Sequence, residues 1–391
     1  MIKMAKVYFD NFCKQIYARL EELIAQEALE GKKIVLFGLN SSSYVVRDYL
    51  QEKYKILAYI DNNKEKRAQS EEKIPAYSPE ELAELFDENV AILITSKYYA
   101  EMKKQLEELG YEEDVQFFRI IDVHNLEQYV DFSDVTDMRE ISKEELKQVQ
   151  MRLLRMTKQI CEEHQLRFYL TGGTLLGAIR HKGYIPWDDD IDIVMPMKDY
   201  RKFMDIVNEG SEYQVLNAYD HPEQFHSYYS RLVCPGTNIK TWDYPYIESL
   251  GINIDIFPLY GVPEETEEAE RFADEMEKLH VKFIEEFIKY PEPTARYYEL
   301  QKEILAMMDR YTFDESTNIA YLLSRHKKKE IMPAKIYDRA IMAEFEGELF
   351  PIPEGYDEYL TRLFGASYME LPPEKDRYSV HNYKAFVADT K

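Results

Sequence analysis

Two short stretches of this chain alternate isoleucine with carboxylate or amide residues, and together they restrict its fold more than anything else in it. One covers residues 190–194 (DIDIV), at the end of the run TGGTLLGAIRHKGYIPWDDDIDIV that starts at Thr171; the other covers residues 251–258 (GINIDIFP). Side chains of a β-strand alternate between its faces. The pattern predicts two strands whose isoleucines (Ile191 and Ile193; Ile252, Ile254 and Ile256) enter a core. Asp190 and Asp192, like Asn253 and Asp255, then share the opposite face. Like charges held side by side repel unless a cation lies between them, and hard oxygen ligands suit Mg²⁺ or Mn²⁺. Asp190, Asp192 and Asp255 are therefore candidate metal ligands. A single such aspartate is more often a solvated strand face or a turn cap; the repetition, and what precedes it, argue for a site.

Upstream, a strand expected over residues 168–171 runs into Gly172-Gly173, and a helix is expected over 174–179. A glycine turn opening a helix presents backbone N–H groups and the positive end of the helix dipole, which suits phosphate. Gly172, Gly173 and Thr174 form the candidate cradle. A phosphate cradle beside a carboxylate–metal site points to phosphoryl or nucleotidyl transfer. Arg180, His181 and Lys182 follow, either as cations closing the helix or as charge balancing a transferring phosphate.

The same residues carry a resemblance. The run GGTLLGAIRHKGYIPWDDDID, the later IDIFPL (residues 254–259) and the tail FGASYMELPPEKDRYSVH resemble the LicD family, whose members look like phosphocholine transferases on a nucleotidyltransferase fold. The resemblance runs, in family order, from about Val135 to the C-terminus. It implies transfer of phosphocholine from CDP-choline, or of a related phospho-alcohol, to a cell-surface glycan such as lipopolysaccharide or teichoic acid, or to a lipid-linked sugar precursor. It inclines Arg180 towards catalysis and makes Arg231 a phosphate-contacting arginine, with a salt bridge as the competing explanation. It also suggests that Lys375, Arg377 and His381 return from the tail to the cleft. The segment TWDYPYIE (residues 241–248) sets rings among carboxylates, as sites for quaternary ammonium groups do. Trp242, Tyr244 and Tyr246 are the candidate headgroup residues, although a chain with 32 tyrosines also forms such clusters without purpose.

The expected chemistry is a metal-assisted in-line displacement at phosphorus. Asp190, Asp192 and Asp255 would hold one or two Mg²⁺ ions, and Asp255 would also take the proton of the attacking sugar hydroxyl. Nucleotidyl transfer to a sugar phosphate is an alternative that keeps the site. A non-enzymatic sugar-nucleotide-binding role in glycan assembly is another.

Ahead of this region, Lys33–Phe37, Ile56–Ile60, 91–95 and 115–120 read as strands with helices between them, one opened by the capping box Ser78-Pro79-Glu80-Glu81. Such alternation predicts a parallel, Rossmann-like sheet. The fold class expected is α/β: a Rossmann-like domain with a leading helix over residues 1–127, then an α+β nucleotidyltransferase-type catalytic domain with added helices over 128–391. The polar, acidic stretch 122–138 is the candidate boundary. After the first strand, Gly38-Leu39-Asn40-Ser41-Ser42-Ser43 keeps only one glycine of the dinucleotide fingerprint, so no NAD is expected. Asp61 stands where a ribose-binding carboxylate would, or caps a turn.

Charge narrows the partners. The chain carries 73 acidic against 49 basic residues, a net −24, whereas nucleic acid demands basic surfaces. Nucleic acid is excluded as a substrate, and contact with an anionic membrane is at most peripheral. No apolar run approaches the ~20 residues of a membrane span. The N-terminus lacks the apolar core and cleavage site of a signal peptide. Three scattered cysteines fit a reducing compartment. The expected location is the cytoplasm, including the inner face of the membrane.

Overall fold

The computed structural model describes residues 2–69, 74–85, 89–96, 98–122, 127, 130–210, 212–217, 228–241, 251–289, 293–324, 326–374, 377, 379 and 381–388. The chain divides into two compact units, one of residues 3–131 and one built chiefly from the residues that follow.

The first unit opens with helix α1 (Ile2–Ala25). Strands β1 (Lys33–Phe37), β2 (Ile56–Ile60), β3 (Ala76–Tyr77), β4 (Val90–Ile94) and β5 (Phe117–Arg119) follow, with helices α2 (Ser41–Leu50), α3 (Lys64–Gln69), α4 (Pro79–Leu85) and α5 (Tyr99–Glu108) between them. The sheet order is β3-β2-β1-β4-β5 and every pairing is parallel. Alternation along β1 splits the core in two. Ile34 and Leu36 face a layer with Cys13, Ile16 and Leu20 of α1 and Val46 of α2. Val35 and Phe37 face Leu82 of α4 and Met102 and Leu106 of α5. A sheet buried on both faces is the Rossmann-like arrangement that the sequence predicts. At the turn after β1, Asn40 caps α2 by accepting the N–H groups of Ser42 and Ser43. Asp61 accepts the N–H of Leu39 at 2.8 Å and that of Asn63 at 2.8 Å, which is the turn-capping role.

The second unit begins with β6 (Met138–Ile141) and α6 (Lys143–His164), the latter opened by a capping box of Ser142 and Glu145. Next come β7 (Tyr169–Leu170), α7 (Gly172–Arg180), β8 (Asp192–Pro196), α8 (Met197–Gly210), β9 (Gln214–Leu216), β10 (Ser230–Val233), β11 (Thr237–Thr241) and β12 (Asn253–Val262). After them lie α9 (Thr266–Lys289), α10 (Ala295–Met308), β13 (Asn318–Ala320), β14 (Met332–Pro333), β15 (Ala340–Phe345), β16 (Glu348–Pro353), α11 (Tyr356–Phe364) and β17 (Tyr383–Ala388). The long strand β12 organises the main sheet. Its first half lies between β10, antiparallel, and β8, parallel; its second half pairs with β13. β7 continues the sheet beyond β8, and β9 beyond β10. A smaller sheet has the order β11-β17-β6, and β15 and β16 form a hairpin. This unit is a mixed α+β arrangement, as the sequence predicts.

Two boundaries differ from expectation near the acidic strand. Helix α7 starts at Gly172, ahead of Thr174. β8 starts at Asp192 rather than Asp190, because the carbonyl of Ile191 is the first to enter the ladder, accepting the N–H of Asp255 at 2.9 Å. The residues before it are held by tertiary contacts instead; the carbonyl of Asp189 accepts from Gln150 Nε2 at 3.0 Å. Among the described residues no helix is long and apolar enough to cross a membrane.

Candidate active site

Alternation places the site. Ile191, Ile193, Ile252, Ile254 and Ile256 are completely buried. In the parallel register of β8 and β12, Asp192 stands opposite Asp255. On the other side of β12, Arg231 stands opposite Asp255, with Nε 3.4 Å from Oδ1. Asn253 Nδ2 donates to the same oxygen at 2.8 Å. Arg231 is buried, lies over the ring of Tyr229 and donates to its hydroxyl. Its guanidinium therefore serves an ion pair inside the site, not at the surface.

Helix α7 brings its N-terminus to these carboxylates, and the two glycines allow it. Gly172 has φ +53°, and a Cβ there would lie 3.2 Å from Asp192 Oδ2. A Cβ on Gly173 would lie 2.7 Å from Asp188 Oδ2. Thr174 is turned inward: its Oγ1 accepts the N–H of Asp192 at 2.8 Å, which fixes that residue. Tyr359 of α11, which the sequence does not single out, accepts the Gly172 N–H at 3.3 Å and meets Thr171 Oγ1 at 2.5 Å. Gln150 is a second such residue. Its Nε2 reaches the carbonyls of Asp189 and Asn253, tying the two acidic segments together.

The electrostatics are those of carboxylates crowded out of water. Burial, and then the neighbouring Asp188, push the Asp190 carboxyl up to about 8. Burial likewise raises Asp188, and it raises Asp255 against the opposing charges of Arg231 and His381. Asp189 goes the other way. Burial works against its charge, yet His381, Ser379 and Lys143 hold its carboxyl at about 2. Burial also disfavours the charged His381 ring, but the bond to Asp189 and the charges of Asp190, Asp189 and Asp188 lift it to about 9.

The donor set, all carboxylate oxygen and short of positive charge, fits a hard divalent cation in its chemistry. Among the described residues, however, no group of three or more His, Cys, Asp and Glu side chains is arranged so that it could hold a metal ion.

Other expected site residues fall elsewhere. Arg180 donates to the carbonyls of Tyr368 and Glu370, at 2.8 and 3.1 Å, and so ties the C-terminal segment to α7. Arg377 lies over the ring of Trp187, while His381 reaches the acidic segment through Asp189. Trp242, Tyr244, Tyr246 and Lys375 lie outside the described residues.

Residues 165–302 match the family model described as LicD/FKTN/FKRP, nucleotidyltransferase domain, and residues 30–117 match one described as C2185-like, N-terminal. The chain is 30% identical over 271 residues to the lipopolysaccharide cholinephosphotransferase LicD of Haemophilus influenzae, a match that spans 64% of this chain and 100% of that protein. The chain belongs to the LicD family. Shorter matches, 34% identical over 79 residues and 39% over 74, relate it to proteins of Rickettsia typhi and Rickettsia prowazekii that are named only as uncharacterized. They cover 20% and 18% of this chain, and 26% and 27% of those proteins. Membership in the LicD family supports a transferase of nucleotidyltransferase or phosphotransferase type that works on a nucleotide-linked donor.

Proposed function

We propose that this chain transfers phosphocholine, or a related phospho-alcohol, from a CDP-linked donor to a cell-surface glycan or its lipid-linked precursor. The observation that carries the reading is the register of β8 and β12, with Asp192 opposite Asp255 beside the glycine-opened end of α7. The Haemophilus relative, named as a cholinephosphotransferase, supplies the headgroup. In the reaction, a bond forms between the acceptor oxygen and phosphorus while the bond to the nucleotide phosphate breaks, its electron pair leaving with CMP. Asp255, oriented by Arg231 and Asn253, takes the acceptor's proton. The N–H groups at the start of α7, other than that of Gly172, which Tyr359 accepts, bind phosphate oxygens. Asp190, Asp192 and Asp255 would share Mg²⁺ or Mn²⁺ with the donor's diphosphate, whose oxygens would supply ligands that the side chains alone do not, and the ion would neutralise it. Arg180 acts at a distance, by holding the tail segment at Tyr368 and Glu370. Trp242, Tyr244 and Tyr246 remain the candidates for the headgroup. Donor and acceptor point to the cytoplasmic side of a membrane, without nucleic acid as a partner.

The test is incubation of the purified chain with CDP-choline and Mg²⁺, following CMP. Asp190→Asn, Asp192→Asn and Asp255→Asn should each abolish release while the protein stays folded. Full activity in all three would end the reading. The match to a nucleotidyltransferase domain favours one alternative, transfer of the nucleotidyl group to a sugar phosphate. Pyrophosphate from a nucleoside triphosphate would be its product instead of CMP.

A further inference from the structure

Asp189, in the middle of the acidic run, has a buried side chain whose two oxygens are both taken. Oδ1 meets His381 Nδ1 at 2.7 Å, and Oδ2 accepts from Ser379 Oγ at 2.9 Å, Tyr383 Oη at 3.1 Å and Lys143 Nζ at 3.2 Å. Three of those four donors belong to the tail segment. The acidic segment and the tail are thus fastened together at one carboxylate, and that carboxylate is occupied by protein. An imidazole held through Nδ1 has its ring orientation fixed and one nitrogen left, Nε2. The charge of the same ring acts on Asp188, Asp190 and Asp255, so it stands within electrostatic reach of the crowded carboxylates. A phosphate-bearing donor approaching those carboxylates needs a compensating donor group nearby.

We propose that Asp189 is a positioning residue for His381, holding the imidazole by Nδ1 so that Nε2 hydrogen-bonds a phosphate oxygen of the nucleotide-linked donor. The inference rests on the proposed function above and adds to it the phosphate contact and its anchor. Nδ1–H donates to Asp189 and Nε2–H to the phosphate oxygen, so the ring acts as an imidazolium, the form that the surrounding carboxylates favour, and no proton needs to change hands. As the bond to the departing nucleotide breaks, its oxygen gains charge, and the Nε2–H bond strengthens.

The full-length chain with Mg²⁺ gives the test, using CDP as the probe in titration calorimetry and CMP release from CDP-choline as the rate. His381→Gln should weaken CDP binding about tenfold, the scale of one charge-assisted hydrogen bond. Asp189→Asn should weaken it in the same direction, and the double variant should be no weaker than His381→Gln alone, because Asp189 acts through the ring. Unchanged CDP affinity in His381→Gln overturns the inference, as does a double variant whose losses simply add. A wild-type chain that binds CDP but releases no CMP from CDP-choline removes the choline reading, and the CDP cycle still decides the inference. One that neither binds CDP nor releases CMP removes both. Should Asp189→Asn fail to fold, His381→Gln with an unchanged melting temperature decides by the same titration.

Discussion

At Gly173 a single missing methyl group sets how closely the start of α7 approaches the acidic segment. Asp188 Oδ2 stands 2.7 Å from where that methyl would be, and the side chain is half-buried. Gly173→Ala should therefore push Asp188 aside, at a cost of about 1–3 kcal/mol in stability. CMP release should fall at least about tenfold, the factor that about 1.4 kcal/mol lost at the transition state produces. Steady-state rates with thermal melts check it, and unchanged turnover would show that Asp188 can turn aside freely. Strand periodicity alone puts Asp189 out of phase with Asp190 and Asp192, but β8 begins only at Asp192, and the Asp189 carboxylate is engaged by Lys143 and the tail. What periodicity could not supply is the partner, since His381 lies 192 residues along the chain. Tyr359 and Gln150 were illegible for the same reason. A tyrosine on α11 and a glutamine on α6 have no local signature that separates them from ordinary helix residues.

Among the elements, α9 holds His280 against the ring of Tyr228, with centroids 6.1 Å apart. Burial lowers its pKa to about 4 from the ordinary 6.5. The unfolded chain takes up this proton as pH falls through about 6.5, whereas the folded chain resists it until about 4. Stability should therefore decline as pH falls through that window, by at most about 3 kcal/mol from this group. Denaturant titrations at pH 7 and pH 4.5 should show a smaller acid loss in His280→Gln than in the wild-type chain. Tyr228 itself carries a hydroxyl that is buried without a hydrogen-bond partner among the described residues. Tyr228→Phe should be neutral or stabilising, by about 1 kcal/mol, in the same titrations. The strands and helices were largely readable, because capping boxes at Ser78 and Ser142 and the period-two isoleucines are local signals. The start of β8 was not, because it depends on where the carbonyl of Ile191 finds β12.

For the whole molecule, the two units each hold their own buried clusters, which leads us to propose that residues 128–391 fold as an isolated fragment. Soluble expression with a cooperative melt is the expected outcome, and an insoluble or molten fragment would count against that boundary. For residues 1–127 we expect no NAD⁺ or NADP⁺ affinity in calorimetry. Asn40 already occupies N–H groups at the start of α2, and Asp61 serves the backbone of Leu39 and Asn63. The order of strands in the small sheet carries one more consequence. β17 is its middle strand, pairing with β11 on one side and β6 on the other, although it is made long after both. During synthesis, β6 and β11 emerge with no strand between them, and Asp189 waits without its histidine. A ribosome that stalls before residue 379 leaves a polypeptide with a hole where that strand belongs. The cell would receive from it a donor site that has its acids and lacks the imidazole that Asp189 holds.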